Sequence, residues 1–316
     1  MATSDLHVIF GTGPVGQATA RELVTAGERV RVINRSGKAQ VPAGVEVRAG
    51  DAADPAQARQ LAEGASVVYF CVNPPYHQWA EKFPPMHTAI LKAATAVRAK
   101  FVAMENVYAY GDVDRPLTED LPYNAHTKKG RVRAKMSQEL MAAHDRGAVR
   151  AVIARASDFY GAGVRDSGLG ERVFEPLLAG KAAQIAGDPD APHTYTYMED
   201  IGKALALLGR DERAVGEIWH VPNAPALSTR QIIELAAQIA GVPSKFSAMG
   251  KLMLRIGGLF IPPAREMIEM MYEFEQPFVV DSSKFTRTFG VEATPYRDGL
   301  TKTIAWYKAQ VSAQAQ

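Results

Sequence analysis

The sequence predicts an α/β protein built on a doubly wound parallel sheet, with a smaller C-terminal region interleaved with the last strands. Two observations support this fold class. Short apolar runs alternate with longer amphipathic segments through the first half of the 316-residue chain, as repeated strand–helix units require. In addition, the glycine-rich turn GTGPVG joins the first apolar run to the first helical segment.

Apolar runs bounded by polar or turn residues predict the strands of this sheet. They are His7–Phe10, Arg29–Ile33, Val45–Arg48, Ser66–Val72, Phe101–Met104 and Val149–Ala154. The segments between several of these strands carry apolar residues at helical spacing. The predicted helices are 14–26, 55–63, 78–98 and 127–144.

The alternation loosens after Arg155, which predicts a second region. We expect residues 1–157 to form the first domain, together with returning elements at about 193–222. Residues 158–192 and 223–316 would then form a cap. Within the C-terminal part we expect helices at 169–179 and 228–240, a strand at 216–221, and methionine-rich apolar segments at 252–261 and 264–274.

The turn after the first strand predicts a bound dinucleotide, because it follows a strand and opens a helix. Gly11 allows a tight turn, and Gly13 lets backbone amides approach a pyrophosphate. Gly16 lets the helix pack close to the strand. Pro14 and Val15 begin the helix, whose N-terminal amides face the anion.

The end of the second strand favours NADP(H) over NAD(H). A carboxylate at this place holds the ribose 2′-hydroxyl of NAD, whereas an arginine accommodates a 2′-phosphate. Asn34, Arg35 and Ser36 stand here, and no carboxylate occurs between Val30 and Val45. The competing interpretation is that Arg35 is only a solvated loop residue.

Composition and patterning exclude several classes of partner. A net charge of +2 gives no general attraction to nucleic acid, and no apolar run approaches the roughly 20 residues that cross a bilayer. We therefore expect a cytoplasmic protein with a small-molecule substrate. The scattered histidines lack metal-site spacing, so no metal is expected. Cys71, within an apolar strand, is expected in the core.

The order of further motifs resembles the extended short-chain dehydrogenase/reductase family, including its NAD-dependent epimerase/dehydratase-like members. These motifs are Gly50–Asp51, Tyr110–Gly111, Arg155–Gly161, Tyr197–Ile201 and Asp281–Phe285. Asp158 stands where that family usually has asparagine. The resemblance implies a Rossmann domain with a substrate-binding cap, a homodimer, and Asp51 and Asn73 beside the cofactor.

The same resemblance shows a departure at the catalytic residues. The family uses a Ser or Thr with a YxxxK pair, but no tyrosine of this chain has lysine four residues later. Alignment on the long helix puts Lys135 at the lysine position, on the nicotinamide ribose, and Arg131 at the tyrosine position. Asn106 then stands at the Ser position.

A different proton donor is therefore needed if protons move. Tyr108 follows the fifth strand and is the candidate, with Asn106 and Arg131 stabilising developing charge. Tyr76 or a water is the competing donor. Arg131 stays charged and can only hold an anion. With Lys128 and Lys135 it would form a cationic helix face suited to an anionic substrate.

These residues together predict an NADP(H)-dependent oxidoreductase with an atypical active site. We expect it to reduce a carbonyl or a conjugated enone of a small molecule by hydride transfer. Two alternatives remain open at this point. One is a non-catalytic NADP(H) sensor, which would bind the cofactor without consuming it. The other is a nucleotide-sugar-type epimerase or isomerase, which would show no net redox change.

Overall fold

The computed structural model describes residues 5–250 and 268–314. Its first six strands and its eleventh strand lie close to the predicted strands. The strands are β1 (Leu6–Phe10), β2 (Arg29–Asn34), β3 (Glu46–Ala49), β4 (Val67–Phe70), β5 (Lys100–Asn106), β6 (Arg150–Ala156), β7 (Asp158–Tyr160), β8 (Ala183–Ala186), β9 (Pro192–His193), β10 (Tyr195–Tyr197), β11 (Ile218–His220), β12 (Leu227–Ser228) and β13 (Phe246–Met249).

The helices of the described residues follow the same order as the predicted ones. They are α1 (Pro14–Thr25), α2 (Pro55–Leu61), α3 (Trp79–Val97), α4 (Lys128–Asp145), α5 (Glu171–Leu178), α6 (Met198–Arg210), α7 (Thr229–Ala240), α8 (Tyr272–Glu275), α9 (Ser283–Phe289) and α10 (Tyr296–Gln314). The predicted segment 252–261 lies outside the described residues. The predicted segment 264–274 is described only from residue 268.

The main sheet has seven parallel strands in the order β11-β6-β5-β4-β1-β2-β3. Its central strands β1, β4, β5 and β6 are largely buried, as expected for a sheet covered on both faces. The strand order reverses direction between β1 and β4. In such sheets, ligands bind outside the carboxyl ends of the strands at this place. The predicted fold class, a doubly wound Rossmann-type sheet, is confirmed.

The chain divides into two compact units. Unit 1 comprises residues 1–111, 122–156 and 201–221, and unit 2 comprises 112–121, 157–200 and 222–316. These boundaries differ from the predicted ones in two segments, 112–121 and 193–200. Leu117 pairs with Val280, and β10 pairs with β7, so strand pairing draws both segments into unit 2.

Unit 2 is built on three short two-stranded sheets and its own apolar core. Helix α7 begins at a capping box, in which the Ser228 hydroxyl and the Gln231 side chain each bind the other residue's backbone N–H. Gly299 on α10 lies so close to Tyr160 that a side chain there would meet the phenol oxygen at 2.5 Å. The predicted helices 169–179 and 228–240 correspond to α5 and α7.

Candidate active site

The glycine turn between β1 and α1 has the geometry that a pyrophosphate needs. Gly11 has φ +108°, and a Cβ there would overlap the Cys71 carbonyl oxygen, so only glycine fits. A Cβ at Gly16 would overlap the Gly11 carbonyl oxygen. A methyl group added at Gly13 would meet no atom of the described residues within 4 Å, so the space over the turn is open. Pro14 is the first helical residue, so the N-terminus of α1 faces this space.

The loop after β2 is organised by Asn34. Its amide nitrogen donates to Thr12 Oγ1 at 2.7 Å and to the Lys38 carbonyl at 2.8 Å. Its amide oxygen accepts the backbone N–H groups of Ser36 and Gly37. Asn34 therefore ties the loop to the glycine turn, and it has few hydrogen-bonding groups left for a ribose.

Arg35, by contrast, is exposed and has no hydrogen bond or ion pair with a described residue. Asp51 is also exposed, and its side chain accepts the Ala53 backbone N–H at 2.9 Å. Asn73, after β4, is exposed as well. These three residues follow the carboxyl ends of β2, β3 and β4, which lie at one edge of the sheet.

The predicted cationic face of helix α4 lies on its exposed side. Lys128, Arg131 and Lys135 are exposed; the Lys135 side chain is 71% exposed and its Nζ lies 3.7 Å from Glu139 Oε1. Arg131 Nη1 donates to the His126 carbonyl. Binding of an anionic ligand by these residues stays a prediction. The buried face carries Lys129, Arg133 and Ser137 instead.

The turn after β5 brings Tyr108 beside α4. Asn106 Oδ1 accepts the Tyr108 backbone N–H at 3.2 Å, so this amide shapes the turn. A Cβ at Gly130 would lie 2.6 Å from the Tyr108 carbonyl oxygen, so the close approach of α4 to the turn requires glycine. The Tyr108 ring is half-buried, with its centroid 5.9 Å from that of Trp79.

Two buried cations of α4 lie against aromatic rings that follow β4. Lys129 Nζ lies 4.3 Å from the centre of the Tyr76 ring. The Arg133 guanidinium lies 4.6 Å from the Trp79 ring and 4.0 Å from the Phe83 ring. Sequence analysis missed both cations, although their four-residue spacing matches that of the family's YxxxK pair.

A buried polar network lies beneath these cations. Glu105 accepts a 2.5 Å hydrogen bond from the Ser137 hydroxyl and lies 3.5 Å from the Arg155 guanidinium. Arg155 is fully buried and also donates to the Tyr123 hydroxyl at 2.8 Å. The charge of Arg155 therefore balances that of Glu105, and the network fixes α4 on β5 and β6.

Residues 8–221 match the NAD dependent epimerase/dehydratase family. The match covers more than half of the chain and includes the glycine turn, β5 and α4. The chain belongs to this family. The resemblance inferred from the sequence motifs is therefore confirmed at the level of the family.

Known members of this family resemble the chain at low identity. The trifunctional UDP-glucose 4,6-dehydratase/UDP-4-keto-6-deoxy-D-glucose 3,5-epimerase/UDP-4-keto-L-rhamnose-reductase of Arabidopsis thaliana is 23% identical over 219 residues. That match covers 66% of this chain but only 29% of the relative.

Solved structures of the family share the fold. UDP-glucuronic acid 4-epimerase from Bacillus cereus, in complex with NAD, has a TM-score of 0.80 at 16% identity, covering 96% of this chain and 99% of that one. dTDP-glucose 4,6-dehydratase from Bacillus anthracis, also with NAD, has a TM-score of 0.80 at 12% identity, covering 98% of each chain.

A histidine–carboxylate pair lies in unit 2. His193 Nε2 lies 3.0 Å from Asp158 Oδ2, and His193 Nδ1 lies 3.0 Å from the Glu273 carbonyl oxygen. A carbonyl only accepts, so Nδ1 must carry a hydrogen. Burial raises the pKa of the Glu273 carboxyl well above its usual range.

Other reactive side chains of the described residues serve the core. Burial raises the pKa of the Cys71 thiol to about 12, so this cysteine is a poor nucleophile. Burial lowers the pKa values of His7 and His87 to about 4. Within residues 5–250 and 268–314, no cluster of three or more His, Cys, Asp or Glu side chains has the arrangement of a metal site. No helix in the same ranges has the length and apolarity that crossing a membrane requires.

Proposed function

We propose that the protein is a nicotinamide dinucleotide-dependent enzyme that interconverts sugar nucleotides or similarly polar small molecules, as an epimerase or isomerase. The observation that carries this proposal is the glycine turn, where Gly11 and Gly16 leave no room for side chains and the space at Gly13 is open for a pyrophosphate. Membership of the epimerase/dehydratase family and the substrates named for its relatives support the reaction class.

We further propose that the cofactor is NADP(H), although the solved neighbours named above contain NAD. Arg35 is exposed and has no described partner, so its guanidinium is available for a 2′-phosphate. The N-terminus of α1 would hold the pyrophosphate, and Asp51 and Asn73 would lie near the adenine and the nicotinamide halves. When bound, the dinucleotide accepts and returns a hydride.

For proton transfer we retain Tyr108 as the proposed acid. Its half-buried side chain interacts electrostatically with Arg133, so an alkoxide developing there would meet both an O–H donor and a cation. Asn106 supports the turn that carries Tyr108. The sequence assigned the binding of an anion to Arg131 and the binding of the nicotinamide ribose to Lys135. In this proposal Arg133 and Lys129 take these two roles, because they lie on the buried face of α4.

A second candidate is an NADPH-dependent reductase of a carbonyl or a conjugated enone. Arg35 favours it, since NADPH commonly supplies hydride for net reduction. The family resemblance implies a homodimer formed through α3 and α4, and we propose it for both candidate functions. Size-exclusion chromatography with light scattering measures the oligomeric state directly.

One experiment separates these functions. The protein is incubated with UDP-glucose, UDP-glucuronic acid and dTDP-glucose, each with NAD⁺ or NADP⁺, and the products are followed by proton NMR and absorbance at 340 nm. An epimerase changes the sugar configuration with no net absorbance change. In parallel, NADPH deuterated at the transferable hydrogen is incubated with a small-metabolite extract. Deuterium in a product would establish the reductase, whereas cofactor binding with neither result would indicate the sensor.

A further inference from the structure

Arg133 is a buried cation of unit 1 whose guanidinium has N–H groups unused by the described residues. The residue is 5% exposed, and its Nε and Nη1 have no hydrogen-bond partner among the residues that the structure describes. A buried guanidinium without partners is strongly destabilising, since charge and N–H donors both lose water. Native structures rarely leave such donors unused, unless a ligand or water completes them.

The surrounding side chains stabilise the charge of Arg133 but not its N–H groups. The Trp79 and Phe83 rings lie within cation–π distance of the guanidinium. These rings offer no oxygen acceptor. Burial lowers the pKa of Arg133 to about 10, so the group still carries its charge at neutral pH.

The Glu105 carboxylate does not accept a hydrogen bond from Arg133 either. Glu105 raises the pKa of Arg133 electrostatically, but its Oε2 is engaged by the Ser137 hydroxyl and by Arg155. In the part of the chain that the structure describes, no hydrogen bond or ion pair joins Glu105 to Arg133. Lys129, one helical turn earlier on the same buried face, adds a second positive charge.

We propose that Arg133, assisted by Lys129, binds an oxyanion of the ligand, either a carboxylate or a phosphate oxygen, beside the carboxyl end of β5. This inference rests on the proposed function and deepens it, since an oxyanion that comes from the substrate makes the substrate an anion. The source of the oxyanion is the substrate itself or a phosphate of the dinucleotide.

The test uses inorganic phosphate as the probe and Trp79 as the reporter. Phosphate is titrated at constant ionic strength, adjusted with sodium chloride, and tryptophan emission is recorded. We expect a saturable change that is lost in Trp79→Phe, which keeps a ring beside the guanidinium but removes the reporter. In Arg133→Met the phosphate dissociation constant should rise roughly tenfold or more, as expected for a lost charged hydrogen bond.

The matched control is Arg131→Met, which removes an exposed arginine two residues away on the same helix. It should leave the phosphate response unchanged. Arg133→Lys should restore part of it. The absence of a saturable response in the wild-type protein, an unchanged affinity in Arg133→Met, or loss of binding in Arg131→Met would each overturn the proposal.

A second arm identifies the source of the oxyanion. The titration is repeated on protein saturated with NADPH, whose binding is measured separately by its own fluorescence. If phosphate still binds, the oxyanion belongs to the substrate. If NADPH displaces phosphate, the oxyanion belongs to the cofactor, and the inference of an anionic substrate fails. Loss of NADPH binding altogether would contradict the proposed function and not the oxyanion site.

Discussion

At the scale of residues, the proposed preference for NADP(H) rests on the loop that follows β2. The Asn34 side chain is occupied within its own loop, whereas the neighbouring Arg35 guanidinium has no described partner. A positive charge at this place attracts a 2′-phosphate, and a negative charge repels it. In the proposed site, the glycine turn would contribute equally to NAD and NADP binding, because both carry the same pyrophosphate.

The variant Arg35→Glu should therefore exchange the cofactor preference. We expect NADPH affinity to fall about 10-fold to 100-fold, which corresponds to the loss of one charged hydrogen bond. NADH affinity should change little. Fluorescence titration with both nucleotides measures the ratio. Arg29→Glu, which changes an exposed arginine at the start of β2, is the matched control, and equal NADPH affinity in Arg35→Glu and wild type would contradict the assignment.

Tyr108 makes the second prediction at this scale. The variant Tyr108→Phe removes only the hydroxyl, so the packing of the ring near Trp79 is retained. We expect kcat to fall about 100-fold, the usual range for a lost acid, with cofactor affinity unchanged. Steady-state kinetics on the identified substrate measures this. Near-wild-type turnover in Tyr108→Phe would assign the proton to Tyr76 or to water.

At the scale of elements, the sequence predicted the positions of the strands, but it did not predict which face of α4 is buried. Strands β1, β4, β5 and β6 are continuous apolar runs, which have few other structural interpretations. Helix α4 instead buries Lys129, Arg133 and Ser137. The rule that the polar residues of an amphipathic helix face the solvent therefore does not identify the buried face of α4. The apolar residues Met136 and Leu140 do mark the buried face and were the available signal.

The contact between α4 and the Tyr108 turn depends on Gly130. Replacing a helical glycine by alanine normally stabilises a helix by about 1 kcal/mol. In Gly130→Ala the new Cβ would meet the Tyr108 carbonyl oxygen at 2.6 Å. This overlap should outweigh the gain in helix propensity and lower the free energy of unfolding by roughly 1–3 kcal/mol. Urea unfolding measures the difference. Gly168→Ala, whose Cβ would make only ordinary contacts, is the control and should be nearly neutral.

For the whole molecule, pH dependence of stability follows from its buried histidines. His87 lies between Phe70 and Phe101, and neither of its ring nitrogens has a hydrogen-bond partner among the described residues. Its pKa of about 4 in the folded protein is below the usual 6.5. Unfolding therefore takes up a proton below pH 6.5, and the stabilisation from neutral His87 is lost as the pH falls toward 4.

The variant His87→Leu should remove this part of the acid sensitivity. Between pH 7 and pH 4.5, the wild-type free energy of unfolding should fall by about 2 kcal/mol more than that of the variant. Chemical denaturation at the two pH values measures the difference, and comparison with the variant cancels other titrating groups such as Glu273. Parallel losses in both proteins would contradict the assignment to His87.

The whole-molecule architecture was predictable because strand order and connection follow general rules once the elements are known. The division of the chain into two units was harder to predict from the sequence. Pairing of Leu117 with Val280 joins residues far apart in sequence, and no local pattern announces it. The pair His193 and Asp158 was not predicted for the same reason, because its members are 35 residues apart in the chain.

The packing of Gly11 on the Cys71 carbonyl gives the protein a natural reporter of opening. Cys71 is the only cysteine of the chain, so a thiol reagent labels one position. Because the thiol is buried, labelling requires local opening beside the glycine turn. A dinucleotide that binds only the closed form should slow labelling about 100-fold at a concentration of 100 times its Kd. Mass spectrometry of the labelling rate would thus measure cofactor affinity without any engineered probe.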